Sequence, residues 1–102
     1  MAFRHVVLIR FTDDATDEQR QALVRGLDSI PEVTGAVRAE GFRHGPDAGV
    51  SPGNWDYVVV ADFASADGYL AYRDHPDHQA LIRDLLKPIL ADRAAVQYEL
   101  PG

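Results

Sequence analysis

The stretch that decides the fold is Phe3-Arg4-His5-Val6-Val7-Leu8-Ile9-Arg10-Phe11, nine residues rich in β-branched and aromatic side chains. Such a run reads as a β-strand. Side chains alternate across a strand, so Phe3, His5, Val7, Ile9 and Phe11 share one face and Arg4, Val6, Leu8 and Arg10 the other. Both faces are apolar at their centre. A strand apolar on two sides needs cover on two sides, and the rest of the chain is read from that requirement.

Downstream, Thr16 followed by Asp17, Glu18 and Gln19 has the form of a capping box, and Leu23, Leu27 and Ile30 recur at helical spacing. This predicts a helix over residues 17–29, ended by Pro31. Residues 33–44, around Val37, predict a second, weaker strand interrupted by Gly41. The turn formers Pro46, Asp47, Gly49, Ser51, Pro52 and Gly53 place a surface loop over 45–54. Residues 56–63 form the clearest strand of the chain, with Tyr57, Val59, Ala61 and Phe63 opposite Val58, Val60 and Asp62. Ser65 is placed to cap a short helix through residue 73. His75-Pro76 then resets the backbone, because the residue before proline avoids the helical region and proline suits the first helical position. From Pro76 a further helix carries Leu81, Ile82, Leu85, Leu86 and Ile89 until Pro88 bends or ends it. Residues 93–100 close the chain as a strand, with Val96, Tyr98 and Leu100 on one face and Gln97 and Glu99 on the other.

The order β-α-β-β-α-α-β is a split-βαβ, ferredoxin-like plan of the α+β class: a four-stranded antiparallel sheet with helices on one face, in a single domain over 1–102. The uncovered face carries Val6, Leu8, Val58 and Val60. An exposed apolar face of this kind marks an association surface, so a homodimer with sheet facing sheet is expected.

Composition narrows the possible activities. The chain has 102 residues, 46% of them hydrophobic and 25% charged, enough for one small core. It has no cysteine, which removes disulfides, thiolate metal ligands and a thiol nucleophile. Ten basic against sixteen acidic residues give a formal charge of −6, whose field repels phosphate backbones and anionic membrane surfaces, so no nucleic-acid or membrane partner is expected. No membrane span or signal segment is apparent, and a cytoplasmic location is the expectation. There is no GxGxxG, P-loop or GxSxG, so no cofactor and no serine nucleophile is expected.

What remains is acid–base chemistry. His5 lies on the odd face of the first strand. His75 and His78 bracket Pro76 in the string Tyr72-Arg73-Asp74-His75-Pro76-Asp77-His78. A histidine in the first turn of a helix meets unpaired N–H groups and a partial positive charge, which favour the neutral imidazole, the form that acts as a general base. Tyr72, across the proline break, is positioned to donate a hydrogen bond to a developing oxyanion. Each residue also has a structural reading: buried polar tips find hydrogen-bond partners, His75 caps the helix that Pro76 starts, and His44 is solvated. His75-x-x-His78 with Asp74 or Asp77 fixes no third ligand, and no metal is expected.

Three stretches carry a family likeness: Arg4-His5-Val6-Val7-Leu8-Ile9-Arg10-Phe11, Gly26-Leu27 with Ile30-Pro31, and Asp62-Phe63-Ala64-Ser65 through Tyr72, His75, Pro76 and His78. Together they resemble the stress-responsive dimeric α/β-barrel family, Dabb. The likeness spans nearly the whole chain, and the His-Pro-x-His string after a tyrosine is its most specific mark. The resemblance implies ferredoxin-like domains paired through their sheets into a dimeric α/β barrel. Its olivetolic acid cyclase-like members further imply a cofactor-independent aldol cyclisation of a poly-β-keto substrate. In that assignment His78 removes a proton, Tyr72 binds the oxyanion and His5 orients or shuttles a proton. Val7, Ile9, Tyr57, Val59, Ala61, Tyr69 and Leu81 would line the substrate cavity. Tyr57 stands where that cyclase has a histidine, and Ala22, Leu23 and Ala61 replace bulky lining, which implies a different substrate. The alternative is a non-catalytic stress-responsive or small-molecule-binding protein whose histidines and tyrosines are structural.

Overall fold

Strand β1 spans Phe3–Phe11, as its apolar run predicts, and lies in the interior of an antiparallel sheet. The computed structural model describes residues 2–34 and 41–101. Helix α1 spans Asp17–Thr34 and strand β2 spans Phe42–Pro46. Strand β3 (Tyr57–Phe63), helix α2 (Ala66–Asp74), helix α3 (Pro76–Leu81) and strand β4 (Leu90–Glu99) follow. The sheet order is β2-β3-β1-β4, with β1 hydrogen-bonded to β3 on one side and β4 on the other.

The register sorts the two faces. Phe3, His5, Val7 and Ile9 stand opposite Phe63, Ala61, Val59 and Tyr57, and this face meets the helices. There Ile9, Val59, Ala61 and Phe63 pack with Leu23, Leu27 and Ile30 of α1, Tyr72 of α2 and Leu81 of α3 to form the core. The other face pairs Val6 with Val60 and Val96, and Leu8 with Val58 and Ala94. Beside these apolar pairs Arg4 donates twice to Asp62, at 2.7 and 2.9 Å. Among the described residues no helix covers this side, and Val96 and Tyr98 are 56% and 44% exposed.

The expected closure into an α/β barrel is corrected: the sheet of this chain is open, with β2 and β4 as its two edges. Closure requires strand tilt and stagger around a circle, and the small barrels whose interiors side chains just fill have about eight strands. Four strands cannot meet end to end.

Several local expectations also change. The capping box is present: the Thr16 N–H donates to Gln19 Oε1 at 2.9 Å and the Gln19 N–H to Thr16 Oγ1 at 3.1 Å. Helix α1, however, runs through Pro31 to Thr34. Proline there removes one backbone donor, but the buried Ile30 holds this end of the helix on the core. The second strand is β2, later than expected, and the part of that expectation centred on Val37 lies outside the described residues. Ser65 stands at the start of α2, but its side chain makes no capping hydrogen bond. After α3 the backbone widens into a π-helical turn, Ile82–Leu86, and tightens into a 3₁₀ turn, Lys87–Ile89, around Pro88. Proline has no N–H for the carbonyl of Asp84 and its ring crowds it, so the helix changes pitch there. Among the described residues no helix is long and apolar enough to cross a membrane.

Candidate functional site

Between the sheet and the helices lies a cavity of about 320 Å³, and His5, Tyr72 and His78 all line it. Each arrives by a different route. His5 comes from β1, on the helix-facing side with Val7 and Ile9, and is 6% exposed. Tyr72 comes from the last turn of α2 and is 3% exposed. His78 comes from the first turn of α3, across the proline break.

The break itself sets His78. Pro76 has no N–H, and the Asp77 N–H, which a continuous helix would direct to the Arg73 carbonyl four residues back, donates instead to His75 Nδ1 at 3.1 Å. His75, in extended geometry, thus caps α3. The Arg73 carbonyl, orphaned at the end of α2, accepts from His78 Nδ1 at 3.1 Å and from the Gln79 side-chain amide. A carbonyl only accepts, so His78 Nδ1 carries the proton and Nε2 keeps its lone pair. Burial pushes the His78 imidazole below its usual pKa, partly opposed by the Arg73 carbonyl and assisted by the nearby positive charge of Arg93. At neutral pH it is an unprotonated base.

The Tyr72 ring packs in tilted contact against His78, with centroids 4.2 Å apart, and against Phe63 at 5.2 Å. Burial raises its phenol above the usual range, so the hydroxyl stays protonated and can donate. Burial, with Arg93 and the second imidazole His78 nearby, holds His5 down to about 4. Its Nδ1 accepts from the Gln97 side-chain amide of β4 at 2.7 Å, which leaves the proton on Nε2, and its ring meets Tyr69 at 4.8 Å. A neutral base, a protonated phenol and a neutral imidazole donor therefore share one mostly apolar cavity.

Of the expected lining, Val7, Ile9, Val59, Tyr69 and Leu81 line this cavity with Leu23 and Leu27. Tyr57 and Ala61 do not line it. Ala61 is fully buried beneath the helices. Tyr57 donates to His44 Nδ1 at 2.6 Å, and His44 Nε2 donates to Asp28 Oδ1 at 2.6 Å. His44 is thus a link between α1 and the sheet rather than a solvated residue. Gln97, Lys87 and Arg93 at the site were not foreseen. Alternation in the last strand puts Gln97 on the face opposite Val96 and Tyr98, but the register that sets Gln97 beside His5 and Arg93 beside Ile9 appears only in the folded sheet. Among the described residues no group of three or more His, Asp or Glu side chains could hold a metal ion.

The fold recurs in solved structures. A dimeric ferredoxin-like protein of unknown function from Thermobifida fusca is 39% identical, with 98% of this chain and 92% of that chain covered and a TM-score of 0.87. A Dabb family protein with a ferredoxin-like fold from Mesorhizobium loti is 22% identical, covering 99% and 98% with a TM-score of 0.80. A hydroxynitrile lyase from Passiflora edulis is similar in fold alone, at 13% identity with 98% and 94% covered and a TM-score of 0.85. No curated protein sequence matches the chain, and nothing in these likenesses ties it to olivetolic acid cyclase in particular. The model of the stress responsive A/B barrel domain matches residues 3–100, and with that match and the ferredoxin-like sheet the chain belongs to the Dabb family.

Proposed function

We propose that the cavity binds a small, oxygenated, partly apolar molecule and that His78, Tyr72 and His5 act on it by proton transfer without a cofactor. The observation that carries this is the meeting of all three side chains at one cavity of about 320 Å³ whose other walls are mainly aliphatic. That volume sits at the lower end of ligand sites, the size of a substituted ring or a short chain. In this mechanism His78 Nε2 removes a proton from a carbon next to a carbonyl. The Tyr72 hydroxyl, or the Nε2–H of His5, donates to the oxygen as it becomes an enolate. The enolate carbon then attacks a second carbonyl of the same molecule, which is an aldol cyclisation, or is reprotonated. A positioned base contributes about 10²–10⁴-fold and an oxyanion donor a similar factor, enough for a carbon already acidified between two carbonyls.

The test is α-proton exchange in D₂O followed by NMR, with a 3-oxo thioester as substrate. The wild type is expected to accelerate exchange, His78→Ala to abolish the acceleration and Tyr72→Phe to reduce it by about 10²-fold. Exchange unchanged in both variants would mean that the two residues are structural.

The functional unit in this proposal is a homodimer paired through the helix-free face of the sheet. Support comes from the exposed Val96 and Tyr98 beside Val6, Leu8, Val58 and Val60. The dimeric description of the Thermobifida fusca relative points the same way.

A further inference from the structure

We infer that the ligand of this cavity is an amphipathic organic anion, its apolar body between β1 and α1 and its carboxylate or phosphate held at the mouth by Lys87 and Arg93. This rests on the cavity being a ligand site and adds the charge of what enters it. Sixteen of the chain's residues are acidic against ten basic, yet among the described residues no side chain lining the cavity is acidic while Arg73, Lys87 and Arg93 all line it. Arg73 is paired with Asp74 at 2.9 Å. Lys87 and Arg93 form no ion pair or side-chain hydrogen bond among the described residues, although carboxylates are plentiful elsewhere on the surface.

Both positions follow from the fold. Arg93 pairs with Ile9 across β1 and β4 and therefore stands on the helix-facing side. The strand continues exposed past it, since the helices lie over β1 and β3 and leave this edge of the cavity open. Lys87 begins the 3₁₀ turn that contains Pro88 and lines the same cavity. Two unpaired cations over an apolar cavity whose inner polar groups are neutral histidines give a polarity gradient, cationic at the rim and apolar within. A fatty, aromatic or polyketide-like acid matches it, as does the phosphate end of an activated thioester. A neutral alcohol or hydrocarbon of the same size leaves both cations without a counter-charge. Local positive charge at the rim is also the arrangement that draws anions toward a protein whose overall field repels them.

The experiment is calorimetric titration of the full chain with octanoate, octyl phosphate and 1-octanol, which share a tail and differ in the headgroup. The anions are expected to bind at least about tenfold more tightly than the alcohol, the value of one or two charge-assisted hydrogen bonds. Lys87→Gln with Arg93→Gln should bring the anions down to the affinity of the alcohol. Arg83→Gln, which removes an equal charge from a residue paired with Asp84 away from the cavity, should leave the preference intact. Whichever anion binds more tightly identifies the headgroup. Equal affinity for alcohol and anions, or a preference that survives the double substitution, overturns the inference while leaving the cavity as a ligand site. Binding of none of the three overturns both. Anion preference without α-proton exchange overturns the catalytic proposal and leaves this one standing.

Discussion

His5 is a histidine in a strand core, and its burial has a thermodynamic consequence at the scale of the single residue. In the unfolded chain it takes a proton near 6.5; in the folded chain its pKa is lowered to about 4. Between those values the unfolded state binds more protons than the native state, so stability is full above 6.5 and falls as the pH drops toward 4. A depression of that size corresponds to about 3 kcal/mol, and His78, lowered for the same reason, adds in the same direction. Urea midpoints across this range are expected to fall in the wild type more steeply than in His5→Gln. The difference between the two proteins separates the histidine from carboxylates that titrate in the same window. Equal slopes would show that folding leaves the His5 pKa near its unfolded value. Which histidines carry such a burden was only partly legible. The pattern of β1 put His5 on the apolar face, whereas His44, flanked by glycine and turn residues, gave no hint that Tyr57 and Asp28 would hold it.

At the scale of the element, termini and breaks were more legible than lengths. The Thr16–Gln19 box lies within one turn of chain and depends on nothing distant, so it could be read directly and its hydrogen bonds are present. Thr16→Ala is expected to lower stability by about 1 kcal/mol in urea unfolding, the usual worth of such a cap. The end of α1 departs from its local signal, Pro31, because the burial of Ile30 that carries the helix past it is tertiary. The His75-Pro76 break shows the opposite case. Proline dictates the interruption from sequence, and the freed carbonyl of Arg73 turns that interruption into a fixed tautomer for His78. The π turn before Pro88 shows the same residue type changing helix pitch where packing still demands apolar cover, from Leu86 and Ile89.

For the whole molecule, the helix-free face of the sheet is the dominant feature. Val96→Asp places a charge on the edge strand of that face, in the row where Val60, Val6 and Val96 stand side by side across three strands. Light scattering coupled to size exclusion is expected to give a dimer for the wild type and a monomer for Val96→Asp, and a monomeric wild type would remove the proposed assembly. By itself the sequence determined what is periodic or local: the first, third and last strands, the order of the helices, the two apolar faces of β1, the cap of α1 and the proline break that precedes His78. These depend on side chains a few residues apart, whose geometry the backbone fixes. Only the tertiary structure decided that the sheet stays open, that Tyr57 and Ala61 fall outside the cavity, that Lys87 and Arg93 line it, and that Gln97 holds His5 there. Those outcomes depend on strand register and on which edge the helices leave bare, and residues ninety-two positions apart, such as His5 and Gln97, become neighbours only when the sheet has formed.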